Sequence, residues 1–269
     1  IFRWVKVILL VYGIVGIALY YLQDKVFFRP EKVDWDHKYA SEIPYEEFNL
    51  PFDTNANMNV VRFYKKQPAT KAIIYFHGNK KNIGWYAKHA PGLAAAGYEV
   101  WMIDYPGYGK STGVFTEQRL YEYAEQMYKL VRSRLPADSI VVYGKSLGTG
   151  LAAYIASRHS CRGLILEAPY YSFTELAGHY FPVYPVGRMI RFKIPTHEYL
   201  KRVIAPVMIL HGSDDGIIPA SHSRRLVASM KKTDEFVLVE GGSHNDLMEF
   251  PAAREKVNSM LTAHIRQKQ

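Results

Sequence analysis

Ser146 stands in the pentapeptide Gly144-Lys145-Ser146-Leu147-Gly148, directly after the apolar run Ile140 to Tyr143 and directly before the helical pattern Thr149 to Arg158. A nucleophilic serine on a sharp strand-to-helix turn holds strained backbone angles, and flanking glycines remove the side chains that would collide there. The helix after the turn points its positive N-terminal end toward any oxyanion formed at the serine. Alone the pentapeptide says little, since composition yields roughly 0.07 chance matches in a chain of this length. Its weight comes from the residues C-terminal to it.

A serine nucleophile needs a base to take its proton and a carboxylate to orient that base, and strand-turn-helix nucleophiles are followed by acid and then histidine. Both come after Ser146, each at the end of a strand-like run. Val207 to Leu210 leads into His211-Gly212-Ser213-Asp214-Asp215-Gly216-Ile217-Ile218-Pro219, which offers two adjacent carboxylates. Phe236 to Val239 leads into Glu240-Gly241-Gly242-Ser243-His244-Asn245-Asp246. Of the ten histidines, His244 alone follows the final strand in a glycine loop, so it is the expected base. His77 and His211, each before a glycine at a strand end, read as packed structural residues. The turn Tyr75-Phe76-His77-Gly78-Asn79 supplies the remaining part, with the backbone amides of Asn79 and Leu147 as oxyanion donors.

Positioning these groups takes a sheet. Strand-like runs occur at Glu47 to Phe52, Met58 to Tyr64, Ala72 to Phe76, Val100 to Ile103, Ile140 to Tyr143, Leu164 to Leu166, Val207 to Leu210 and Phe236 to Val239. Helical patterns lie between them at Ile83 to Ala96, Thr116 to Arg134, Thr149 to Arg158, Ala220 to Met230 and Leu247 to Ile265. Such alternation predicts an α/β fold with an eight-stranded, mostly parallel sheet covered by helices on both faces, the first hairpin adding antiparallel strands at one edge. Residues 169 to 205 break the alternation. Rich in proline and aromatics, they read equally as an irregular surface loop or as a short lid over an apolar ligand.

Val7 to Leu22 carries no charge, and a helix over Phe2 to Leu22 rises ~30 Å, the thickness of a bilayer's hydrocarbon. Trp4 and Tyr20-Tyr21 stand where an interfacial aromatic belt belongs, and no small-residue cleavage pattern comes after them. The expected organisation is a transmembrane anchor at 1–23, a juxtamembrane connection at 24–45 and one catalytic domain at 46–269. Basic residues around the span lean the domain to the cytoplasmic side. With 34 Lys and Arg against 25 Asp and Glu, the net charge of +9 suits an anionic membrane surface. No basic run or nucleic-acid motif accompanies it, and the GKS triplets lack the earlier glycine of a phosphate-binding loop. One cysteine, Cys161, excludes a disulfide framework and a cysteine zinc site, and neither metal nor cofactor is expected.

Taken together, Phe76 to Asn79 with Asn82 and Ile83, Asp104-Tyr105-Pro106-Gly107-Tyr108-Gly109-Lys110-Ser111, Gly144 to Gly148, His211 to Pro219 and Glu240 to Asp246 resemble the α/β-hydrolase superfamily. Within it the chain is similar to a membrane-anchored serine hydrolase branch that includes lysophospholipase-like and protein-depalmitoylase-like enzymes. The resemblance covers about residues 45 to 265. It implies Asp215 as the catalytic acid, the fifth position of its loop, with Asp214 the runner-up. Relatives carry small residues where Lys80 and Lys81 stand, which are either two solvated lysines or a cationic mouth for an anionic substrate. The resemblance implies cleavage of carboxylic esters or thioesters of acyl or lipid substrates. Peptide or amide cleavage by the same triad, or a catalytically silent membrane-anchored binding protein, are the alternatives. An aspartate at position 146 would mark haloalkane or epoxide chemistry, and serine stands there.

Overall fold

Short β-branched runs with no polar face are stable in the middle of a sheet covered on both sides. The computed structural model describes residues 2–65 and 68–263, and in it every such run is a strand. In chain order the elements are α1 (Phe2–Tyr21), α2 (Gln23–Phe27), β1 (Arg29–Pro30), β2 (Tyr45–Asp53), β3 (Ala56–Phe63), β4 (Ala72–Phe76) and β5 (Lys80–Lys81). There follow α3 (Ile83–Tyr86), α4 (Ala90–Ala95), β6 (Glu99–Ile103), α5 (Glu117–Arg132), β7 (Ile140–Lys145), α6 (Leu147–Arg158) and β8 (Gly163–Glu167). The rest is α7 (Phe173–Tyr180), α8 (Val186–Met189), α9 (Thr196–Leu200), β9 (Val207–Gly212), α10 (Ser221–Leu226), β10 (Glu235–Val239) and α11 (Pro251–Thr262).

Eight strands form one sheet in the order β10-β9-β8-β7-β4-β6-β3-β2. β3 runs antiparallel to both β2 and β6, and the other neighbours are parallel, as the hairpin and the later alternation predict. β4, β6, β7, β8 and β9 are buried at every position. Successive side chains on a strand face opposite ways, so one strand feeds two cores. Ile74 and Val142 pack with Leu120 and Met127 of α5 and Leu151 of α6. Their neighbours Ile73 and Val141 pack on the other face with Ile83, Leu93 of α4 and Val257 of α11.

Two helical patterns are interrupted by proline, which cannot donate an intrahelical hydrogen bond and fits the first turn of a helix. Ile83 to Ala96 divides into α3, a 3₁₀ turn and α4, with Pro91 in the first turn of α4. The stretch from Leu247 forms a 3₁₀ turn before Pro251 opens α11, and its expected end at Ile265 lies outside the described residues. Ala220 to Met230 shortens to α10 and a 3₁₀ turn.

α1 is apolar along its whole length, with a mean hydropathy of 1.9 over eighteen residues and none of its side chains buried. By length and composition it is able to cross a bilayer. Residues 24–45 are more than a connection, because Phe28, Tyr39 and Ile43 insert into the two cores. A two-residue parallel pairing of β1 with β5, Arg29 opposite Lys80, ties this stretch to the loop after β4. Residues 169–205 hold three short helices, α7, α8 and α9.

Candidate active site

β7 ends at Lys145 and α6 begins at Leu147, so Ser146 makes the whole turn. Its backbone sits at φ 52° and ψ −119°, a conformation that costs a non-glycine residue about 1–3 kcal/mol and persists only where surroundings enforce it. The flanking glycines are the enforcement. A Cβ on Gly144 would stand 2.4 Å from the Gly148 carbonyl oxygen, and one on Gly148 would stand 2.0 Å from that of Phe76. The Ser146 amide donates to the Glu167 carbonyl at 2.9 Å, and Thr149 Oγ1 donates to the Ser146 carbonyl at 2.6 Å.

The two loops at the ends of β9 and β10 meet. His244 Nδ1 lies 2.8 Å from Asp215 Oδ2, both side chains almost wholly buried. A carboxylate only accepts, so the ring proton sits on Nδ1 and Nε2 is left as the basic nitrogen. The other carboxylate oxygen, Oδ1, accepts from the Ile217 and Ile218 amides, each at 2.8 Å. Burial works to raise the Asp215 pKa, but hydrogen bonds from His211 and His244 and the charge of His244 outweigh it and hold the carboxyl well below the ordinary range. Asp214, the other carboxylate, is exposed and accepts from the Ser213 hydroxyl at 2.7 Å. His211 is buried against Asp215, with Nε2 2.7 Å from the Ile218 carbonyl oxygen and 3.2 Å from Asp215. It is packed, as its placement predicts.

Ser146 and His244 are linked through Lys145, whose Nζ donates to the His244 backbone carbonyl at 3.1 Å. Lys145 also pairs with Glu167, and Tyr143 donates to the same carboxylate at 2.6 Å. Burial pushes the Glu167 pKa up, yet Lys145, His89 and the hydrogen bonds from Lys145 and Tyr143 bring it below the ordinary value. Sequence reasoning passed over this pair because Lys145 occupies a variable position of the pentapeptide. The signal is there nonetheless: opposite charges close two adjacent, wholly buried strands, where an isolated charge would be very costly.

The loop of Asn79 and the Leu147 turn lie side by side on one cavity. A Cβ on Gly78 would come within 3.5 Å of Ser146 Cβ and 2.5 Å of the Tyr86 hydroxyl. Asn79 Nδ2 donates to the Phe27 carbonyl at 2.6 Å, while the Asn79 carbonyl accepts from the Arg29 amide and the Tyr108 hydroxyl. Phe27 and Arg29, from the segment before β2, therefore hold this loop. The cavity encloses about 360 Å³. Its lining combines Ser146, Leu147 and Asn79 with Phe173, Leu176, Ala177 and Phe181 and with Val26 and Phe27 of α2. Tyr180, also in the lining, bonds to the Ile217 carbonyl beside Asp215 at 2.5 Å. Lys80 and Arg29 stand at the cavity, whereas Lys81 pairs with Glu31 at 2.6 Å on the exposed side. Among the described residues, no group of three or more His, Cys, Asp or Glu is placed to hold a metal ion.

The family profile described as serine aminopeptidase, S33, matches residues 67–195. The chain is 27% identical over 237 residues to α/β hydrolase domain-containing protein 17C of Xenopus tropicalis, covering 86% of this chain and 74% of the relative. It is 26% identical over 240 residues to the human protein 17B of the same designation, covering 87% and 81%. The structure of an esterase of Pyrococcus furiosus superposes with a TM-score of 0.69 at 17% identity, covering 87% of this chain and 97% of the esterase. The chain has the α/β-hydrolase fold and is similar in sequence to proteins named for it.

Proposed function

We propose that this hydrolase is a membrane-anchored serine hydrolase that cleaves carboxylic esters or thioesters of acyl substrates through an acyl-enzyme. The observation that carries the reading is the buried Asp215–His244 hydrogen bond, formed by loops at two strand ends beside the strained turn of Ser146. Three groups so ordered suit one task, the transfer of an acyl group to a serine and then to water.

In this reading His244 Nε2 takes the Ser146 hydroxyl proton as Oγ attacks the substrate carbonyl. Asp215 fixes the tautomer and stabilises the charged ring. The oxyanion of the tetrahedral intermediate is met by the Asn79 and Leu147 amides and by the N-terminus of α6. His244 then gives its proton to the leaving alcohol or thiol, and the acyl group stays on Ser146. Water, deprotonated by His244, attacks the acyl carbon, and collapse returns the proton to Ser146 and frees the acid. The strain at Ser146 is consistent with a pre-set nucleophile.

Phenylalanine, leucine and alanine walls favour an acyl chain as occupant, with residues 169–205 acting as a lid. α1 is read as a single transmembrane anchor, with residues 46–269 as the hydrolase domain. The test is labelling by a fluorophosphonate probe, which Ser146→Ala should abolish; persistent labelling of that variant would sink the assignment. The serine aminopeptidase profile favours a second reading, in which the same triad cleaves an amide. Parallel turnover of matched ester, thioester and amide substrates decides between them.

A further inference from the structure

We propose that the loop Phe181-Pro182-Val183-Tyr184-Pro185, between α7 and α8, lies inside one leaflet of the bilayer alongside α1, so that acyl chains reach the Ser146 cavity sideways from the lipid. The inference rests on the reading of α1 as a membrane anchor.

The loop meets α1 at its middle, well away from its end. The rings of Tyr12 and Tyr184 stack with centroids 4.5 Å apart, Tyr12 donates to the Val183 carbonyl at 3.1 Å, and Tyr184 donates to the Tyr12 carbonyl at 3.0 Å. Gly16, one turn on, leaves the gap that the Tyr184 ring occupies, since a Cβ there would stand 3.2 Å from it. Tyr12 precedes the end of α1 by nine residues, or about 14 Å along the axis, close to half the ~30 Å thickness of a bilayer's hydrocarbon. A spanning α1 therefore carries Val183 and Tyr184 with it to that depth.

The composition of the loop suits that place. It has no charged residue, and Val183 is 69% exposed with no protein to cover it. Irregular backbone at membrane depth is tolerated only when its polar groups are satisfied within the protein. Here two of the five residues are prolines without an N–H. The Phe181 amide bonds to the Ala177 carbonyl, the Tyr184 amide to that of Phe181, and the Tyr12 hydroxyl covers the Val183 carbonyl. Charge returns at the level of the α1 terminus. Buried Gln23 bonds to the Met189 carbonyl and accepts from the Arg191 amide, and Arg191 stands 3.6 Å from Asp24. Arg191, with Lys25 next to Asp24 in the chain, thus stands where anionic headgroups would lie.

Phe27 and Phe181 join the loop to the chemistry, because both line the small cleft against Leu19 of α1 and both line the Ser146 cavity. The cavity wall and the lipid-facing surface are two sides of the same pair of rings.

The test uses the full chain in liposomes, with Cys161→Ser in the background and single cysteines carrying the fluorophore NBD at Val183, at Ile14 of α1 and at Val114, an exposed residue in the loop before α5. Lipids spin-labelled within the acyl chain should quench the label at 183 several-fold more than that at 114, and comparably to that at 14. Quenching at 14 with 183 no better quenched than 114 would overturn the loop insertion and leave the anchor standing. No quenching at 14 would remove the anchor and this inference with it. Quenching needs no turnover, so a failure of the hydrolase reading is scored separately. In a second arm, Val183→Asp should lower hydrolysis of a long-chain ester embedded in the vesicle at least fivefold. It should leave a water-soluble short-chain ester at the wild-type rate, and equal loss on both would overturn the route.

Discussion

Lys145 and Glu167 face each other in register on β7 and β8, each about 1% exposed, and the lysine reaches on to the His244 backbone carbonyl at 3.1 Å. One buried ion pair thus lies beside the Ser146 turn and fastens the loop of His244. Removing one partner of such a pair leaves an uncompensated buried charge and costs about 3–5 kcal/mol. Lys145→Met should lower the unfolding free energy from urea titration by that amount and reduce kcat, while Lys145→Met with Glu167→Gln should recover part of the stability. Equal stability of the single and double variants would deny the coupling.

Asp215 and Asp214 are neighbours with opposite fates. Asp215→Asn should reduce kcat by roughly 10³–10⁴, because the amide no longer holds the productive tautomer. Asp214→Asn, exposed and bonded through its carboxylate to Ser213, should stay within twofold. Steady-state kinetics on one ester separates them.

The depressed Asp215 pKa has a consequence for acid stability. A carboxyl held below its unfolded value contributes stability that is present above about pH 3.9 and lost as pH falls toward the folded pKa. Asp215→Asn should therefore flatten the decline in unfolding free energy below about pH 4 relative to wild type. Urea titrations at several pH values across that window measure it.

His89 provides a second pH window. Burial first, with Lys145 and Lys88 adding to it against the pull of Glu167, pushes its pKa down to about 4. A histidine so depressed contributes stability that is full above about pH 6.5 and lost as pH falls to about 4, at a slope approaching about 1.4 kcal/mol per pH unit. His89→Phe should remove that slope between pH 6.5 and 4 in the same titrations, and an unchanged slope would assign it elsewhere.

Two glycines predict opposite signs. Gly148→Ala sets a methyl 2.0 Å from the Phe76 carbonyl oxygen and 2.8 Å from that of His77, so the turn and the Asn79 loop must separate. The expected cost is about 1–3 kcal/mol or more, with activity lost. Gly92→Ala, inside α4 with nothing within 4 Å of the new Cβ, should stabilise by about 0.5–1 kcal/mol. Thermal melts of the two variants check both directions.

The strands of the central sheet were legible because burial on both faces writes itself locally, as in Ala72 to Phe76, where no polar side chain interrupts the run. At Pro91 and Pro251 the helical periodicity runs on through the sequence while the missing N–H donor opens a new helix, so the patterns are longer than the helices. The choice between Asp214 and Asp215 was not local. Spacing puts both carboxylates in one loop, and the Ile217 and Ile218 amides together with His244, nearly thirty residues away, select the second. Residues 24–45 concealed most, since their mixed charge describes the exposed side, while Phe28 and Tyr39 are buried by partners far along the chain.

The clasp between Gln23 and Arg191 spans 168 positions, which sets an order on assembly. A ribosome delivers α1 and α2 long before it delivers α8, so α1 emerges while the surface that will grip it has yet to be made. Docking of the proline-containing loop 181–185 onto α1 is then a late step, and the cavity, whose lining includes both Phe27 and Phe181, is complete only after it.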